Sequence, residues 1–489
     1  MWIKSRSVFT WLIRIPSAHS SKRATQKKIV RDTTVYDLSS DYGWKGNQAY
    51  VFGFSASGAL GLKHLVVPKD RFSLPIWGLY HPVRLSQLDN PIAVACGYGF
   101  TAYICKNGRR KYLVFGCGIN SDGQLGQHLG LSGQLSTGQP IHVIPSPELI
   151  HLPLRQDEAE HVYPAHIACG RAHTIIGMRP HESDDQLPVH ARPFLFTLGN
   201  NAFGQCGRQR VEQEVYGPKS AVITRVHLPP DINDLKQICC GQDHSLLLST
   251  DGHVFSAGLG SDGQTGLGHL DLVDQFCRVR GSLQGVQVDS LASAGDTVLA
   301  VSTCGRLFGW GNNEYGQLWS TGEIIQLPEP TELPLDECVV PKEAGSQYSR
   351  VRIGRIKSIA CAGSMCCLLN ESGYVFVWGF GCLGLGPEVT FAPRPTLIPP
   401  GLFAPAMPDT EQRLVSIVSG LHHFVARNAD GLLWAWGAPR GGLYCLGLGN
   451  QADKTVQRQT FPFPLHIPAC VHLVACGVDH TVALAKSLS

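Results

Sequence analysis

The chain has 489 residues, of which 43% are apolar and 16% charged, so it can bury a large core and is not a disordered polypeptide. No apolar run reaches the ~18 residues a spanning helix needs, so any membrane contact is expected to be peripheral. The 17 cysteines show no Cys-x-x-Cys spacing, which argues against a disulfide scaffold and against a zinc site.

The net charge of +3 is unevenly placed. Residues 1–31 carry Lys4, Arg6, Arg14, Lys22, Arg23, Lys27, Lys28 and Arg31 and no acid; without these eight charges the rest of the chain falls from +3 to −5. A mildly acidic body lacks the footprint of a non-specific nucleic-acid binder, so little direct RNA contact is expected. The local basic cluster Arg350, Arg352, Arg355 and Lys357 is an exception.

Residues 1–31 are basic, serine-rich and acid-free, the composition of a mitochondrial transit peptide. A secretory signal built on Val8–Ile15 is the rival reading, with Arg14 interrupting its apolar stretch, and a plain tail is the third. Residues 32–47 read as a linker, and one domain is expected over 48–489. It opens with QAYVFGF (48–54), a strand with no predecessor to pair with.

Two motifs then alternate. The first reads GFSASGALG at Gly53, GINSDGQLG at Gly118, GNNAFGQCG at Gly199, GLGSDGQTG at Gly258, GNNEYGQL at Gly311, GFGCLGLG at Gly379 and GAPRGGLYCLG at Gly437. Taken alone, the copy at Gly258 approaches a phosphate-binding loop, with Gln264 in the lysine's place. A phosphate loop is needed once and a turn once per repeat, and the lysine is missing from every copy. These are turns.

The second motif reads CGYGF at Cys96, CGRAH at Cys169, CGQDH at Cys240, AGDTV at Ala294, AGSMC at Ala362, SGLHH at Ser419 and CGVDH at Cys476. Between the two motifs lie hairpin turns at Asn107-Gly108, Asp251-Gly252, Cys304-Gly305, Ser372-Gly373 and Asp430-Gly431, flanked by apolar runs. A polar insertion at 178–193 replaces one of them. Repeat spacings of 53 to 81 residues suit propeller blades with variable loops. The expected fold is all-β, a seven-bladed β-propeller. The last segment, TVALAKSLS, reads as a strand lacking a partner, so Ala49–Phe54 should pair with Thr481–Lys486 and close the ring.

The recurring cysteines Cys96, Cys169, Cys240, Cys361 and Cys476 read as small buried fillers in a reducing compartment. His173, His244, His423 and His480 hold a repeat position and are expected to donate to a neighbouring loop's carbonyl. Asp122 and Asp262 should brace their turns. The insertions at 127–163 and 319–353 read as peripheral β-excursions or as wedges for a partner.

The paired motifs, clearest in FGWGNNEYGQL (308–318), VFVWG (375–379) and CGVDHTVALAK (476–486), resemble the regulator of chromosome condensation family over roughly 48–489. That resemblance implies a propeller whose two faces serve interaction. Its founding member is a guanine nucleotide exchange factor, and other relatives bind partners without exchange activity. With the leading segment, the resemblance points to the mitochondrial branch. It implies exchange on a mitochondrial GTPase, the dynamin-like enzyme of inner-membrane fusion. The alternative is a scaffold for large-ribosomal-subunit assembly with rRNA-modifying (pseudouridine) enzymes.

By the same resemblance Asp243 matches an acid the exchange factor presents in its third such loop. Two features depart from that pattern. The fifth loop has Met365 where the exchange factor has a histidine pair, the pair His422–His423 coming one repeat later, and the GNNAFG loop has no acid. The candidate partner-binding residues are Asp243, Asp296, His422 and Asp479, the three acids expected on one rim. No cofactor, metal or bond-making catalysis is expected, since no Gly-x-Ser-x-Gly elbow or metal triad is present. A monomer is expected.

Overall fold

The computed structural model describes residues 46–66, 78–108, 111–132, 135–140, 142–181, 192–319, 324–335, 339–340, 351–404, 413–439, 443–449 and 458–486. The leading segment 1–31, nearly all of the linker, Arg350 and most of the 178–193 insertion lie outside these residues. The compact unit spans Lys45–Ser489.

The described strands form seven four-stranded antiparallel sheets plus one two-stranded hairpin. Blade one runs through Pro91–Cys96, Phe100–Asn107, Lys111–Ile119 and Val143–Leu149. Blade two holds Val162–Cys169, His173–Pro180, Phe194–Gly199 and Thr224–His227, and blade three Leu235–Cys240, His244–Ser249, Val254–Gly258 and Val273–Arg278. Blade four comprises Val288–Ala292, Thr297–Ser302, Leu307–Asn312 and Gln326–Leu333. Blade five has Ile356–Cys361, Met365–Asn370, Val375–Phe380 and Phe391–Leu397, and blade six Leu414–Ser419, His423–Asn428, Leu433–Gly437 and Gln459–Leu465.

Blade seven is built from both ends of this unit. Its order is Gly78–Leu85, Asn47–Phe54, His480–Lys486, Cys470–Cys476. Asn47 pairs with Lys486 and Gly53 with His480 without a register break, so the expected closure is present. The side of Thr481–Lys486 that faces away from Cys470–Cys476 thereby gains a ladder instead of lying as an open edge.

The middle strands explain why the repeats read as apolar runs. HSLLLS (244–249) and VFSAG (254–258) are buried at every position, because neighbouring blades cover both faces. The largest buried side chains, Trp310, Trp378, Trp434 and Trp436, sit on third strands. Two of them tie blades together: Trp310 Nε1 donates to the Gln264 carbonyl at 3.1 Å and Trp378 Nε1 to that of Gln317 at 2.7 Å.

The hairpin glycines adopt the left-handed conformation the sequence demanded, with Gly252 at φ 80° and its N–H on the Ser249 carbonyl at 3.0 Å. Part of the 127–163 insertion forms a hairpin outside the blades, Leu129–Ser132 against Leu135–Pro140. Every described cysteine is a free thiol.

Candidate functional site

Seven turns meet at one end of the propeller, and one repeat position organises them. Strand register pairs the first glycine of each turn with the residue that closes the second motif, or in AGDTV and AGSMC with the residue before its last: Gly118 with Phe100, Gly199 with His173, Gly258 with His244, Gly311 with Thr297, Gly379 with Met365, Gly437 with His423 and Gly53 with His480. The residue before each of these is therefore equivalent around the ring: Gly99, Ala172, Asp243, Asp296, Ser364, His422 and Asp479.

In all seven blades its carbonyl accepts the N–H that follows the first glycine, at 2.7 to 3.0 Å, from Phe54 N on Asp479 to Ala438 N on His422. The glycine is required because a Cβ at Gly258 would stand 2.5 Å from the Asp243 carbonyl oxygen, and one at Gly311 2.2 Å from that of Asp296. The four candidate residues Asp243, Asp296, His422 and Asp479 thus share one position on blades three, four, six and seven.

The register also shifts the reading of two loops. In blades four and five Ala294 and Ala362 stand where the others have Gly241 or Gly170. The cause is steric: a Cβ at Gly241 would lie 2.0 Å from the His244 ring and one at Gly170 2.1 Å from the His173 ring. Thr297 and Met365 carry no ring there, so alanine fits.

Asp243 is not a free carboxylate. Arg171, from the loop of blade two, donates Nη2 to its Oδ2 at 2.6 Å and Nε to its Oδ1 at 3.1 Å. The Asp243 side chain is 9% exposed and that of Arg171 48%, so the guanidinium is what this loop shows to solvent. Burial raises the Asp243 carboxyl and Arg171 opposes the rise.

The pattern repeats one blade on. Gln242 Nε2 donates to Asp296 Oδ2 at 2.7 Å and Gln264 Nε2 to its Oδ1 at 3.3 Å. Among the described residues no cation pairs with Asp296; burial, with Asp262 and Asp243 nearby, pushes its carboxyl up to about 7. Asp479 lies on the other side of the ring, with Oδ1 3.3 Å from Nδ1 of His480. The three acids share a loop position, but only Asp243 and Asp296 feel each other. His422 is half-buried in the loop of blade six.

Two finer expectations need correction. Asp122 and Asp262 do not brace their own turns; Gln124 and Gln264 do, accepting from Asp122 N at 3.0 Å and Asp262 N at 2.8 Å. The two carboxylates instead accept the side-chain amides of Asn200 and Asn312 in the next turn, at 2.9 and 3.1 Å. A long amide reaches back over the turn, which a short carboxylate next to its own N–H cannot do.

The repeat histidines bond hydroxyls of the following blade rather than carbonyls. His173 Nε2 meets Ser245 Oγ at 2.9 Å, His244 Ser293 at 3.2 Å, His423 Thr481 at 3.0 Å and His480 Thr101 at 2.8 Å. Three of these hydroxyls donate to a turn carbonyl of the preceding blade, Ser245 to Gln205 at 2.7 Å, Thr481 to Cys445 at 2.8 Å and Thr101 to Ala59 at 2.8 Å, while Ser293 donates within its own blade to the Thr297 carbonyl at 3.0 Å. These imidazoles are structural. Burial lowers His173, His244 and His423 to about 3, so they are neutral.

Arg171, Gln242 and Tyr98, whose hydroxyl donates to the Ala294 carbonyl at 3.3 Å, were not singled out from the sequence. All three follow the motif's glycine, a position whose side chain reaches a later blade. A separate cleft of about 720 Å³ opens at the hairpin end of blades one and two, lined by Tyr112, Leu152, Leu154, Val162 and Lys111 among others. It is remote from the ring.

The geometry defines the class of the protein, a closed seven-bladed propeller presenting loops at one end and carrying two interleaved glycine motifs. The regulator of chromosome condensation (RCC1) repeat matches residues 194–248 and 430–484, and a second model of that repeat 92–124 and 235–264. The chain is 37% identical over 480 residues to the mouse RCC1-like G exchanging factor-like protein, covering 96% of this chain and 94% of that one. It is 39% identical over 456 residues to the human protein of the same name, covering 91% and 88%. The crystal structure of human WBSCR16 superimposes with a TM-score of 0.75 at 36% identity, covering 91% of this chain and 100% of that one. The chain belongs to the regulator of chromosome condensation family. Yeast Prp20p shares the fold, with a TM-score of 0.63 at 19% identity over 91% and 92% of the two chains.

Proposed function

We propose that this propeller is a mitochondrial docking protein that acts as a guanine nucleotide exchange factor for a dynamin-like fusion GTPase, using the loop ring as its contact face. The observation that carries the reading is likeness over nearly the whole chain to two relatives named as G exchanging factor-like. Exchange requires no bond making. It requires a surface that binds the nucleotide-free GTPase more tightly than the loaded one, since only differential affinity shifts the equilibrium. The ring positions Asp243, Asp296, His422 and Asp479 are the candidates for that surface. The basic, acid-free leader supports import into mitochondria, with the matrix or the matrix face of the inner membrane as destination.

One observation favours a second reading, a scaffold for large-ribosomal-subunit assembly and rRNA modification. The acid matching the exchange factor's is covered by Arg171, and Met365 is buried in the fifth loop. A platform that gathers modifying enzymes needs neither a free acid nor a histidine there.

Proximity labelling with crosslinking of the tagged full chain in intact cells separates the two. Under the exchange reading a membrane-fusion GTPase is enriched and lost in Asp243→Ala. Enrichment of rRNA-modifying enzymes, indifferent to that substitution, overturns it in favour of the scaffold. Labelling of nuclear or secretory proteins overturns the import reading.

A further inference from the structure

At the ring end of blades four and five an aromatic patch lies open beside acids. Tyr315 stacks on Phe380 with ring centroids 5.8 Å apart and an interplanar angle of 21°. Phe380 is the direct cross-strand partner of Phe391, whose ring lies over Gly316. These rings are 39%, 47% and 52% exposed, and Ile325 beside them 59%. The turn that carries Tyr315 is held rigidly: Asn313 N donates to the Ile325 carbonyl at 2.8 Å, and Gln317 Oε1 accepts from Tyr315 N at 2.8 Å.

Two stacked aromatic rings, with a third exposed on the neighbouring strand, leave apolar surface unburied on a turn fixed by hydrogen bonds. Such preorganised aromatic surface is where binding energy concentrates in interfaces.

The charge next to the rings says what covers them. Glu314 is exposed and adjacent to Tyr315. Asn312 links two acids, its Nδ2 donating to Asp262 Oδ1 at 3.1 Å and its Oδ1 accepting Glu314 N at 3.1 Å. The carboxylates of Glu314 and Asp262 therefore border one side of the turn that carries Tyr315. An anionic membrane surface would be repelled by them, and a purely apolar segment would leave them unanswered. A cation over the ring faces satisfies both elements, since aromatic faces and carboxylates attract it together.

We infer that the ring end of blades four and five is a docking surface for a partner polypeptide segment that presents a lysine or arginine between apolar side chains. The apolar flanks cover Phe380, Phe391 and Ile325, and the cation lies between the Tyr315 ring and Glu314. This goes beyond the exchange reading, because it holds for any partner that uses this end of the propeller.

The test uses the full chain and a labelled eight-residue peptide with a central lysine between leucine and phenylalanine, followed by fluorescence anisotropy. Two control peptides carry glutamate for the lysine, or serines for the leucine and phenylalanine. The lysine peptide is expected to bind at least about tenfold more tightly than either control. It should weaken as salt rises from about 50 to 200 mM, as rim electrostatics do. Phe380→Ser should weaken it at least about tenfold at an unchanged melting temperature, and Glu314→Lys should transfer preference to the glutamate peptide. Phe391→Ser repeats the test if Phe380→Ser misfolds. Equal binding of the three peptides, or indifference to both phenylalanine substitutions, overturns the inference. Binding to vesicles containing anionic lipid that depends on Phe380 also overturns it, because the patch would then be a membrane surface.

Discussion

Arg171 closes on Asp243 across the seam between blades two and three, with Nη2 2.6 Å from Oδ2 and Nε 3.1 Å from Oδ1. The pair spans 72 residues of sequence, so it joins blades rather than stiffening a loop. Half of the guanidinium is in solvent, which screens its charge, while the carboxylate is covered.

Removing Arg171 therefore matters chiefly through the carboxylate it strands. Arg171→Ala should lower stability by about 1–2 kcal/mol at pH 7. Adding Asp243→Asn should restore part of the loss, because the neutral amide needs no counter-ion. Urea unfolding of the two variants checks this. An Arg171→Ala protein as stable as the parent would mean that the pair contributes nothing and Asp243 is free to meet a partner.

Asp296 sets a pH dependence of opposite sign to that of an ordinary paired carboxylate. Its folded pKa is about 7, against a usual value of 3.8. Below pH 4 both states hold the proton and nothing is lost. As pH rises above 4 the unfolded chain ionises first, so stability falls until the folded carboxyl also ionises near pH 7. The full shift corresponds to at most about 4 kcal/mol. Asp296→Asn should abolish this component, gaining stability relative to the parent at pH 8 and little at pH 4. A parallel pair of stability–pH curves would refute the assignment.

The buried histidines act in the other direction. His173, His244 and His423 are lowered to about 3, against 6.5 when unfolded. The unfolded chain takes up protons below pH 6.5 that the folded chain refuses, so their stabilising effect is complete above 6.5 and is lost as pH falls towards 3. Each contributes a slope of about 1.4 kcal/mol per pH unit at most. His423→Gln keeps a hydrogen-bonding group near Thr481 and should flatten the acid limb between pH 6 and 4, at some loss of stability at pH 7. Unchanged acid unfolding would show that this imidazole is protonated in the fold.

The blade count, the turns and the closing seam were legible because each rests on local chemistry. Gly258 at φ 121° and Gly252 at φ 80° occupy conformations that side chains avoid, so glycine marks them in sequence. Apolar runs such as HSLLLS mark doubly covered strands. The side-chain traffic between blades was not legible. Gln242 meets Asp296 54 residues away and Arg171 meets Asp243 at 72, distances that vary with loop length and leave no fixed period. The offset of the AGDTV and AGSMC loops was hidden for a different reason. Their alanines replace glycines only because Thr297 and Met365 lack the ring that elsewhere lies over that glycine, a coupling visible only in three dimensions.

The closing blade offers the sharpest test of the ring. Phe52 is fully buried between blades six and seven, in a cluster with Val425, Leu433, Leu446 and Ala483. Phe52→Ala should lower stability by about 3–5 kcal/mol, the usual result of a cavity at a large core side chain. Deleting residues 46–54 should do more than the sum of such contacts. It leaves Thr481–Lys486 with a bare row of backbone groups on one side, and an unpaired flat edge recruits another chain. The deletion variant is expected to melt earlier and less cooperatively, and to elute as larger species than the intact chain does. A melting temperature unchanged by the deletion would mean that blade seven stands without its first strand, and the ring would have no closing seam.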